Sequence, residues 1–349
     1  MPDITYAVAM SGGVDSSTTA ALLKSQGYNI FGITMDHQSD SIADIENAKR
    51  ICDILEIPHF VMPARDEFKS KVMDVFAEYY SNGLTPNPCA ICNRDIKMNM
   101  LLKFARSKGA DLMATGHYIN MEVDGDSILM SESANPKKDQ SYFLSLVDRN
   151  NLKYVRFPLG KIKDKSETRK MAENFGLPNF AKKDSQDICF IQDGNYKKFL
   201  SEFYSNLNLF AEGNIKLKGT DKVLAKHNGI VNYTIGQRRG LGIAFNEPLY
   251  VVSLDSKNNE VIVGPSNDLE RRHFSIFSTN WVIEMPESFE AFVKLRSLSK
   301  KSKAKILKTE NGAEIELLEK SLTPVTAGQI CAIYNSENAV IGGGIISRE

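Results

Sequence analysis

The sequence predicts an α/β domain with a parallel sheet over residues 1–204, a small central α+β domain over residues 205–272 and a C-terminal β-barrel over residues 273–349. Three observations support this fold class. Strand-like and helix-like segments alternate in the first half, glycines become frequent and segments shorten near residue 205, and short alternating segments dominate after about His273. A chain of 349 residues is also too long for one ordinary core.

The first unit contains the pattern of a parallel sheet. Strands are predicted at residues 4–10, 29–35 and 58–62, and helices at residues 16–26 and 42–55. Strands separated by helix-length segments indicate βαβ units with right-handed crossovers, which place helices on both faces of the sheet.

Three later features complete the pattern. A helical pattern runs over residues 68–108 with an interruption at 83–88, and a buried strand is predicted at 111–118. The strand-like segments 250–252 and 261–263 flank a turn and therefore predict a hairpin.

Composition restricts the partners of the chain. Lys plus Arg and Asp plus Glu number 43 each, so any nucleic-acid surface must be a local patch. No apolar run approaches the ~20 residues that span a bilayer, and no membrane partner is expected. Five cysteines without a secretory signal pattern predict reduced thiols and a cytoplasmic location.

The segment Ser11-Gly12-Gly13-Val14-Asp15-Ser16 joins a predicted strand to a predicted helix. Glycines allow the backbone to approach a phosphate, and the helix N-terminus adds a positive dipole of about half a charge. The acidic side chain is expected to cap the helix or to take part in Mg²⁺ binding. The Walker A and Rossmann patterns are both absent. An ordinary strand-to-helix turn is the alternative interpretation.

Two thiols, Cys89 and Cys92, stand three apart after a Pro-rich turn and before a helical pattern. We expect both in the first helical turn, where the dipole, Arg94 and Lys97 would lower the thiol pKa. Half of a zinc site, a redox pair, and a nucleophile acting with a distant thiol all remain open from these residues.

The candidate distant thiol is Cys189, in an apolar, strand-like run after two lysines. By spacing alone a buried structural cysteine is the commoner outcome for such a residue. Cys52 and Cys331 are predicted to belong to the core.

Several motifs along the chain are distinctive when they are taken together. Residues 11–17 (Ser-Gly-Gly-Val-Asp-Ser-Ser) form the loop of the PP-loop, or N-type, ATP pyrophosphatases. The further strings are Thr-Pro-Asn-Pro-Cys-x-x-Cys-Asn at 85–93, Ala-Thr-Gly-His-Tyr at 114–118, Lys-Asp-Gln-Ser-Tyr-Phe-Leu at 138–144, Phe-Pro-Leu-Gly at 157–160, Asp-Ser-Gln-Asp-Ile-Cys-Phe at 184–190 and Tyr-Thr-Ile-Gly-Gln-Arg-Arg-Gly-Leu-Gly at 233–242. In this order, and over nearly the whole chain, the sequence resembles the tRNA-specific 2-thiouridylases.

The resemblance implies a reaction and its participants. ATP with Mg²⁺ would adenylate the C2 oxygen of the wobble uridine in Lys, Glu and Gln tRNAs. Cys189 would carry sulfur as a persulfide, and Cys92 would be the nucleophile that attacks it, freeing sulfide or leaving a disulfide. The implied partners are tRNA and a persulfide-donating sulfur-relay protein or a cysteine desulfurase. No permanently bound cofactor and no protein metal site are expected.

The resemblance also assigns site residues. The ATP positions are Ala9, Met10, Ser11, Gly12, Gly13, Val14, Asp15, Ser16, Met35 and Gly116. The segment that meets the target base is Asn87, Pro88 and Cys89. The other tRNA contacts are His117, Lys138, Asp139, Gln140, Arg296, Ser297 and Gln329. Some members carry an acidic residue, proposed as a base, where Cys89 stands here.

Residues 291–309 contain one arginine and six lysines and no acidic residue. Because Lys301, Lys303 and Lys305 alternate, a strand would place them on one face. An edge strand that resists aggregation is one interpretation, and contact with the tRNA backbone is the other.

Two other functions remain open at this point. A PP-loop ligase or amidotransferase would use nitrogen and need no thiols, whereas a catalytically silent tRNA-binding protein would bind tRNA without releasing pyrophosphate.

Overall fold

A computed structural model describes residues 4–38, 41–182 and 187–348. The first unit is built on a five-stranded sheet in the order β3-β2-β1-β4-β7, with all neighbours parallel, and a separate antiparallel hairpin, β5-β6. The strands are β1 (Thr5–Ala9), β2 (Asn29–Asp36), β3 (His59–Pro63), β4 (Leu112–Ala114), β5 (Asn120–Asp124), β6 (Ser127–Ser131) and β7 (Val155–Arg156).

Helices cover both faces of this sheet. The α-helices are α1 (Val14–Ser25), α2 (Ser41–Ile54), α3 (Arg65–Phe68), α4 (Asp74–Ser81), α5 (Pro88–Cys92), α6 (Leu102–Ser107), α7 (Ser141–Leu144), α8 (Arg149–Leu152), α9 (Lys165–Asn174) and α10 (Tyr196–Phe203). Within β1, Ala7 packs into one apolar cluster, and Val8 packs into the cluster on the opposite side. This burial of both faces is what a parallel sheet requires.

Two helical stretches adopt the wider π-helical winding. Lys69–Met73 separates α3 from α4, and Asn93–Leu101 continues α5 without a break into α6. π-helical turns are rare and occur often at functional sites. The helical prediction over residues 68–108 is confirmed in outline, but the change of winding was not predicted.

The predicted strand at 111–118 is shorter than expected. Only Leu112–Ala114 pairs with the sheet. A Cβ on Gly116 would lie 2.8 Å from the backbone carbon of Asp15, so the chain leaves the sheet here and passes directly against the start of α1. Because Gly116 lies directly against the start of α1, β4 ends at Ala114 and does not continue to residue 118.

The central part of the chain forms a four-stranded sheet, β10-β11-β8-β9. Its strands are β8 (Glu212–Leu217), β9 (Val223–Asn228), β10 (Tyr250–Asp255) and β11 (Glu260–Gly264). β10 and β11 are antiparallel, which confirms the predicted hairpin, and the β11–β8 pair is parallel.

The C-terminal strands close into a six-stranded barrel, β12-β15-β14-β13-β16-β17. They are β12 (His273–Trp281), β13 (Ser288–Lys294), β14 (Ser302–Thr309), β15 (Gly312–Leu317), β16 (Ile330–Tyr334) and β17 (Val340–Ile346). Closure removes the exposed edges of a sheet. The predicted fold class is therefore confirmed, whereas the domain boundaries after residues 204 and 272 stay predictions.

The barrel packs against the first unit. Ile330, Ala332 and Tyr334 of β16 belong to the same buried cluster as Ala7 of β1. The hydroxyl of Tyr142 donates a 2.9 Å hydrogen bond to the Ile330 carbonyl. Among the helices described, none is both long enough and apolar enough to cross a bilayer.

Candidate active site

The predicted phosphate loop crosses from β1 to α1 with little room around it. Gly12 has φ +68°, and a Cβ there would lie 2.9 Å from the Asp44 carbonyl oxygen and 3.0 Å from the Asn47 Cβ. Both the backbone conformation and the space therefore require glycine at this position.

Serine hydroxyls of the loop are directed onto its own backbone. The Ser16 hydroxyl donates to the Gly13 carbonyl at 3.1 Å and accepts from the Ser11 amide at 3.2 Å. The Ser17 hydroxyl donates to the same carbonyl at 2.9 Å. Gly13 is the N-cap residue of α1 and supplies no side-chain cap. The arrangement leaves the positive end of the helix open toward an anion.

Asp15 is not the cap that the sequence suggested as one option. Its Oδ1 accepts a 2.7 Å hydrogen bond from the Tyr118 hydroxyl and lies 2.5 Å from the Lys165 ammonium at the start of α9. The Tyr118 hydroxyl is also 2.7 Å from the Thr168 hydroxyl. Sequence reasoning missed Lys165 and Thr168, because only the fold brings α9 to the loop.

A second lysine lies beside the loop. The Lys182 ammonium is 3.4 Å from the Gly12 carbonyl and 3.4 Å from Asp44. The Asn179 amide donates to the Ser17 hydroxyl at 2.9 Å. Lys182 was noted in the sequence only as a basic residue before Cys189. Its place beside the loop is suited to a polyphosphate.

A Mg²⁺ ion at this loop would have to take most of its ligands from a bound nucleotide. Residues 4–38, 41–182 and 187–348 contain no group of three or more His, Cys, Asp or Glu side chains arranged to hold a metal. Mg²⁺ in nucleotide sites commonly takes most of its ligands from phosphates and water, with one or two protein carboxylates. Asp15 is the carboxylate of the loop that would serve.

His117 follows the tight crossing at Gly116. Its Nδ1 is 2.8 Å from the Thr115 hydroxyl, which also accepts a 3.4 Å hydrogen bond from the His117 amide. Burial, reinforced by the nearby Lys97 ammonium, lowers the pKa of His117 to about 3. The imidazole is therefore neutral at physiological pH.

The start of α5 differs from the prediction. Asn87 caps the helix by accepting a 3.1 Å hydrogen bond from the Ala90 amide, and Pro88 occupies the first helical position. Cys89 lies in the first turn and is exposed, whereas Cys92 begins the second turn and is buried.

The predicted lowering of the thiol pKa is wrong for this conformation. Burial raises the pKa of Cys92 to about 12, and desolvation also raises the pKa values of Cys89 and Cys189. The Lys97 ammonium lowers the pKa of each of the three thiols, but desolvation raises each pKa by more. Arg94 contributes little, because its guanidinium makes two 2.8 Å hydrogen bonds to Asp95.

Cys189 is exposed and lies in a turn, not in the predicted strand. Its carbonyl accepts a 3.2 Å hydrogen bond from the Gln38 amide, and the adjacent Phe190 packs into the cluster that contains Cys92. The motif residues 184–186 and the lysine at 183 lie outside the described residues. All five cysteines are free, and Cys52 and Cys331 are buried, as predicted for core residues.

Met35, one of the predicted nucleotide positions, lies between the sheet core and the thiol region. It stands near the end of β2 and packs against both the sheet core and the cluster that contains Cys92. Ala9 and Met10 lie at the end of the neighbouring strand, where the Met10 amide donates a 2.8 Å hydrogen bond to the Ile33 carbonyl.

The loop at 138–140, which is predicted to contact tRNA, is bound to the segment that follows β4. Gln140 and Tyr118 exchange two hydrogen bonds, of 2.9 and 3.0 Å. Asp139 turns inward with 4% of its side chain exposed and accepts a 2.7 Å hydrogen bond from the Ser141 hydroxyl. In this conformation Asp139 orders the loop, and its carboxylate offers almost no surface for a direct contact. The Lys138 amide donates to the Asn135 carbonyl at 3.0 Å.

The barrel holds the segment before α5. The Gln329 amide donates to the carbonyls of Thr85 and Pro86 at 3.0 and 3.2 Å. The Arg296 guanidinium donates to the Thr326 hydroxyl at 3.0 Å, and Ser297 follows on the same half-buried stretch. The fold therefore brings Gln329 to the Asn87-Pro88-Cys89 segment, although 240 residues separate Gln329 from Cys89.

The basic strand is less positive than its sequence suggested. Lys303 and Lys305 point outward from β14, but Lys303 lies 2.6 Å from Glu290 on the neighbouring strand. Lys301 precedes β14 and lies 2.9 Å from Glu132. One carboxylate on the neighbouring barrel strand and one after β6, neither of which the linear sequence reveals, neutralise part of this surface.

Known proteins and protein-family profiles match nearly the whole chain. Residues 4–193 match a family profile described as tRNA methyl transferase HUP domain. Residues 197–265 match a tRNA methyl transferase PRC-barrel domain, and residues 271–346 match an aminomethyltransferase beta-barrel domain. A tRNA-specific 2-thiouridylase MnmA of Rickettsia peacockii is 45% identical over 363 aligned positions, covering 99% of this chain and 97% of that protein.

The chain belongs to the tRNA-specific 2-thiouridylase family. A second member, the tRNA-specific 2-thiouridylase MnmA 1 of Fusobacterium nucleatum, is 44% identical and covers 99% of this chain and 94% of its own length. The domain profiles carry names that refer to methyl transfer, but the relatives that align over the whole chain are named thiouridylases. A solved 4-thiouridine synthetase–RNA complex with bound ATP is 17% identical with a TM-score of 0.35, covering 52% of this thiouridylase-family chain and 42% of that one.

Proposed function

We propose that this chain is a tRNA-uridine 2-sulfurtransferase that uses ATP to activate the C2 oxygen of a wobble uridine and replaces that oxygen with sulfur. The observation that carries the proposal is the position of residues 115–118. Gly116 and Tyr118 contact Asp15 of the phosphate loop, while His117 lies within electrostatic reach of Lys97 and so of the thiol site. Activation and sulfur delivery can therefore occur around one short segment.

The phosphate loop would perform the activation. The open end of α1 and the Lys182 ammonium would hold the phosphates of ATP, and Mg²⁺ would neutralise the charge of the leaving pyrophosphate. The uridine O2 attacks the α-phosphorus and the α–β phosphoanhydride bond breaks, so AMP becomes attached to O2. This step turns a poor leaving group into a good one.

The thiols would supply the sulfur. The Cys92 thiolate attacks the inner sulfur of a Cys189 persulfide, a Cys92–Cys189 disulfide forms, and hydrosulfide leaves. Hydrosulfide then attacks C2 of the activated uridine and AMP departs. In the alternative order the persulfide attacks C2 first and Cys92 resolves the adduct. Cys189 is exposed and would meet a donor, which we propose to be a persulfide-carrying protein.

Formation of the disulfide would require the two sulfur atoms to meet. Both thiols are free here, and Cα atoms must come within about 7 Å for a disulfide. The Cys189 carbonyl accepts a hydrogen bond from the Gln38 amide, and the next two residues, Phe190 and Ile191, are buried in the cluster that contains Cys92 of α5. We propose that binding of tRNA against Asn87, Pro88, His117, Lys138 and Gln140 brings the two sulfur atoms together at this cluster.

The proposed tRNA surface includes Arg296, Ser297 and Gln329. Their contribution would position the anticodon arm, because Gln329 holds the segment that leads into α5. Cys89 stands where some relatives carry an acidic base. Desolvation raises the pKa of the Cys89 thiol, which therefore stays protonated. We propose that Cys89 lines the base pocket and does not act as a base.

The decisive experiment is nucleoside mass analysis of the wobble position after incubation of enzyme, ATP, Mg²⁺, unmodified tRNA and a persulfide donor. We expect 2-thiouridine only when ATP is present. Cys189→Ser should abolish 2-thiouridine while keeping tRNA-dependent pyrophosphate release, because adenylation needs no sulfur. Absence of 2-thiouridine with the wild-type enzyme, or full activity of both Cys92→Ser and Cys189→Ser, would reject the proposal in favour of nitrogen chemistry or simple binding.

A further inference from the structure

The α5 helix and its π-helical continuation carry a lysine that the sequence assigned only a general supporting role. Lys97 lies four residues after Asn93 and eight after Cys89, and five after Cys92. In a π-helix residues roughly four to five apart share one face. Lys97 therefore shares a face of the continuous helix with Cys92 and Cys89, and helical side chains lean toward the N-terminus, where the thiols lie.

The electrostatic surroundings of Lys97 are unusual for a half-buried lysine. Burial lowers its pKa, but the three thiols together raise the pKa above its ordinary value. In the part of the chain that the structure describes, no carboxylate lies within ion-pair distance of the ammonium, and the groups that favour its charged form are all cysteines. Because charges withdrawn from water are normally paired, this partly buried cation is suited to an anion that arrives with the reaction.

The neighbouring groups do not provide that anion. The groups that interact electrostatically with the ammonium are Cys89 and Cys92 on α5, Cys189 on its turn, His117 after β4 and His37 after β2. Arg94 and Asp95 lie earlier on the same helix. Asp95 is engaged by Arg94. Both histidines have lowered pKa values and are neutral at physiological pH. The anions that the site can generate are the thiolates, the persulfide and hydrosulfide.

We infer that Lys97 is the counter-ion of the sulfur anion in this site, a positioning residue that stabilises the negative charge of thiolate, persulfide and released hydrosulfide when each forms beside the target base. This role rests on the proposed function for its biological meaning, but its physical content is independent of it. Attack by Cys92 on the Cys189 persulfide forms one S–S bond, breaks another and places a negative charge on the departing sulfur. A fixed ammonium stabilises that charge without any proton transfer.

Thiol titration without ATP or tRNA tests the inference directly. The rate of iodoacetamide alkylation of the full-length protein is followed between pH 7 and 11, with Cys89 and Cys189 quantified separately by peptide mass. Lys97→Met should raise the midpoint of thiolate formation by about one pH unit and slow alkylation near pH 8 about tenfold, since an opposite charge within reach shifts a pKa by one or more units. Lys97→Arg should retain the wild-type profile.

Lys103→Met is the matched control, because Lys103 is exposed on the following helix α6. Its profile should equal that of the wild type. Urea unfolding verifies that Lys97→Met is folded, and Lys97→Gln serves if it is not. An unchanged midpoint in a folded Lys97 variant overturns the inference, as does weakened tRNA binding with unchanged thiol titration, which would assign the ammonium to an RNA phosphate.

A second readout separates this inference from the proposed function. The wild type loaded with persulfide at Cys189 should release hydrosulfide about tenfold faster than Lys97→Met, and Lys97→Arg should restore the rate. If the thiol midpoints shift as expected but no 2-thiouridine is ever formed, the counter-ion role stands and the proposed function fails.

Discussion

The Tyr118 hydroxyl donates a 2.7 Å hydrogen bond to Oδ1 of Asp15, and thus one tyrosine joins the phosphate loop to the segment that follows β4. The backbone of the same tyrosine exchanges two hydrogen bonds with Gln140. Asp15 contacts Tyr118 and Tyr118 contacts Gln140, so two successive contacts link the phosphate loop to the loop at 138–140. Binding at one of these loops is expected to affect the order of the other.

Tyr118→Phe removes the hydroxyl and keeps the ring. The variant leaves Asp15 with Lys165 as its remaining partner and deprives the Thr168 hydroxyl of its contact. Because a hydrogen bond to a charged group contributes roughly 1.5–3 kcal/mol, we expect a loss of about 2 kcal/mol in the free energy of unfolding. Urea titration measures this loss, and a raised KM for ATP in pyrophosphate release would accompany it. Tyr250→Phe on β10 is the control and should change neither quantity.

Gly116→Ala should weaken the binding of ATP. The new Cβ would lie 2.8–2.9 Å from the backbone and side chain of Asp15, and neither can move without shifting the start of α1. We expect at least a tenfold weaker affinity for ATP, measured by calorimetry. Gly109→Ala is the control: its φ is +94° and no atom lies within 4 Å of the added Cβ. The strain there costs about 1 kcal/mol of stability, and wild-type ATP affinity should remain. Equal ATP affinities in the two variants would contradict this explanation.

Cys92 should be the least reactive thiol of the site. With a pKa raised to about 12, its thiolate fraction at pH 8 is about one in 10⁴, and its side chain is buried. We expect iodoacetamide to label Cys89 and Cys189 at least about a hundredfold faster than Cys92 in the folded protein. Cys52, buried with a pKa also raised to about 12, is the internal reference. Unfolding in urea should equalise all five rates, and fast labelling of Cys92 in the folded state would show that α5 opens readily.

Acid should destabilise the fold through His117. The folded pKa is about 3 and the unfolded pKa about 6.5, so the unfolded state binds the proton first as pH falls. The contribution of His117 to the free energy of unfolding is therefore fully present above pH 6.5 and is lost progressively toward pH 3. When the pH falls from 7.5 to 5, the free energy of unfolding measured in urea should decrease by about 1–2 kcal/mol more for the wild type than for His117→Gln. His273→Gln, at an exposed position on β12, should behave as the wild type does.

Gln329→Ala should affect the RNA side and spare the nucleotide side. The variant frees the carbonyls of Thr85 and Pro86, and the segment leading into α5 loses its link to the barrel. We expect a several-fold higher KM for tRNA with an unchanged KM for ATP, as positioning of the base is impaired while the phosphate loop is intact. Gln26→Ala, at an exposed position after α1, is the control. A rise in the KM for ATP alone would contradict the assignment.

The sequence by itself determined the order of elements, the phosphate loop and the family. Alternation of strand and helix signals, a glycine pair between a strand and a helix, and paired cysteines after a Pro-rich turn are local patterns, and local backbone preferences act over a few residues. These patterns placed Gly12, Gly13, Cys89 and Cys92 in the regions where the structure has them. The identity of Gly116 as a close-approach position was implied only by resemblance.

The tertiary structure alone decided the charges and burial around these residues. Lys165 and Lys182 reach the phosphate loop from α9 and from the segment after it, and no spacing in the chain predicts such a contact. Burial overrode the helix dipole at Cys92, because desolvation depends on everything packed around a group, whereas the dipole depends on its own helix. For the same reason, Glu290 across a barrel strand neutralises a lysine that looked free in the linear sequence.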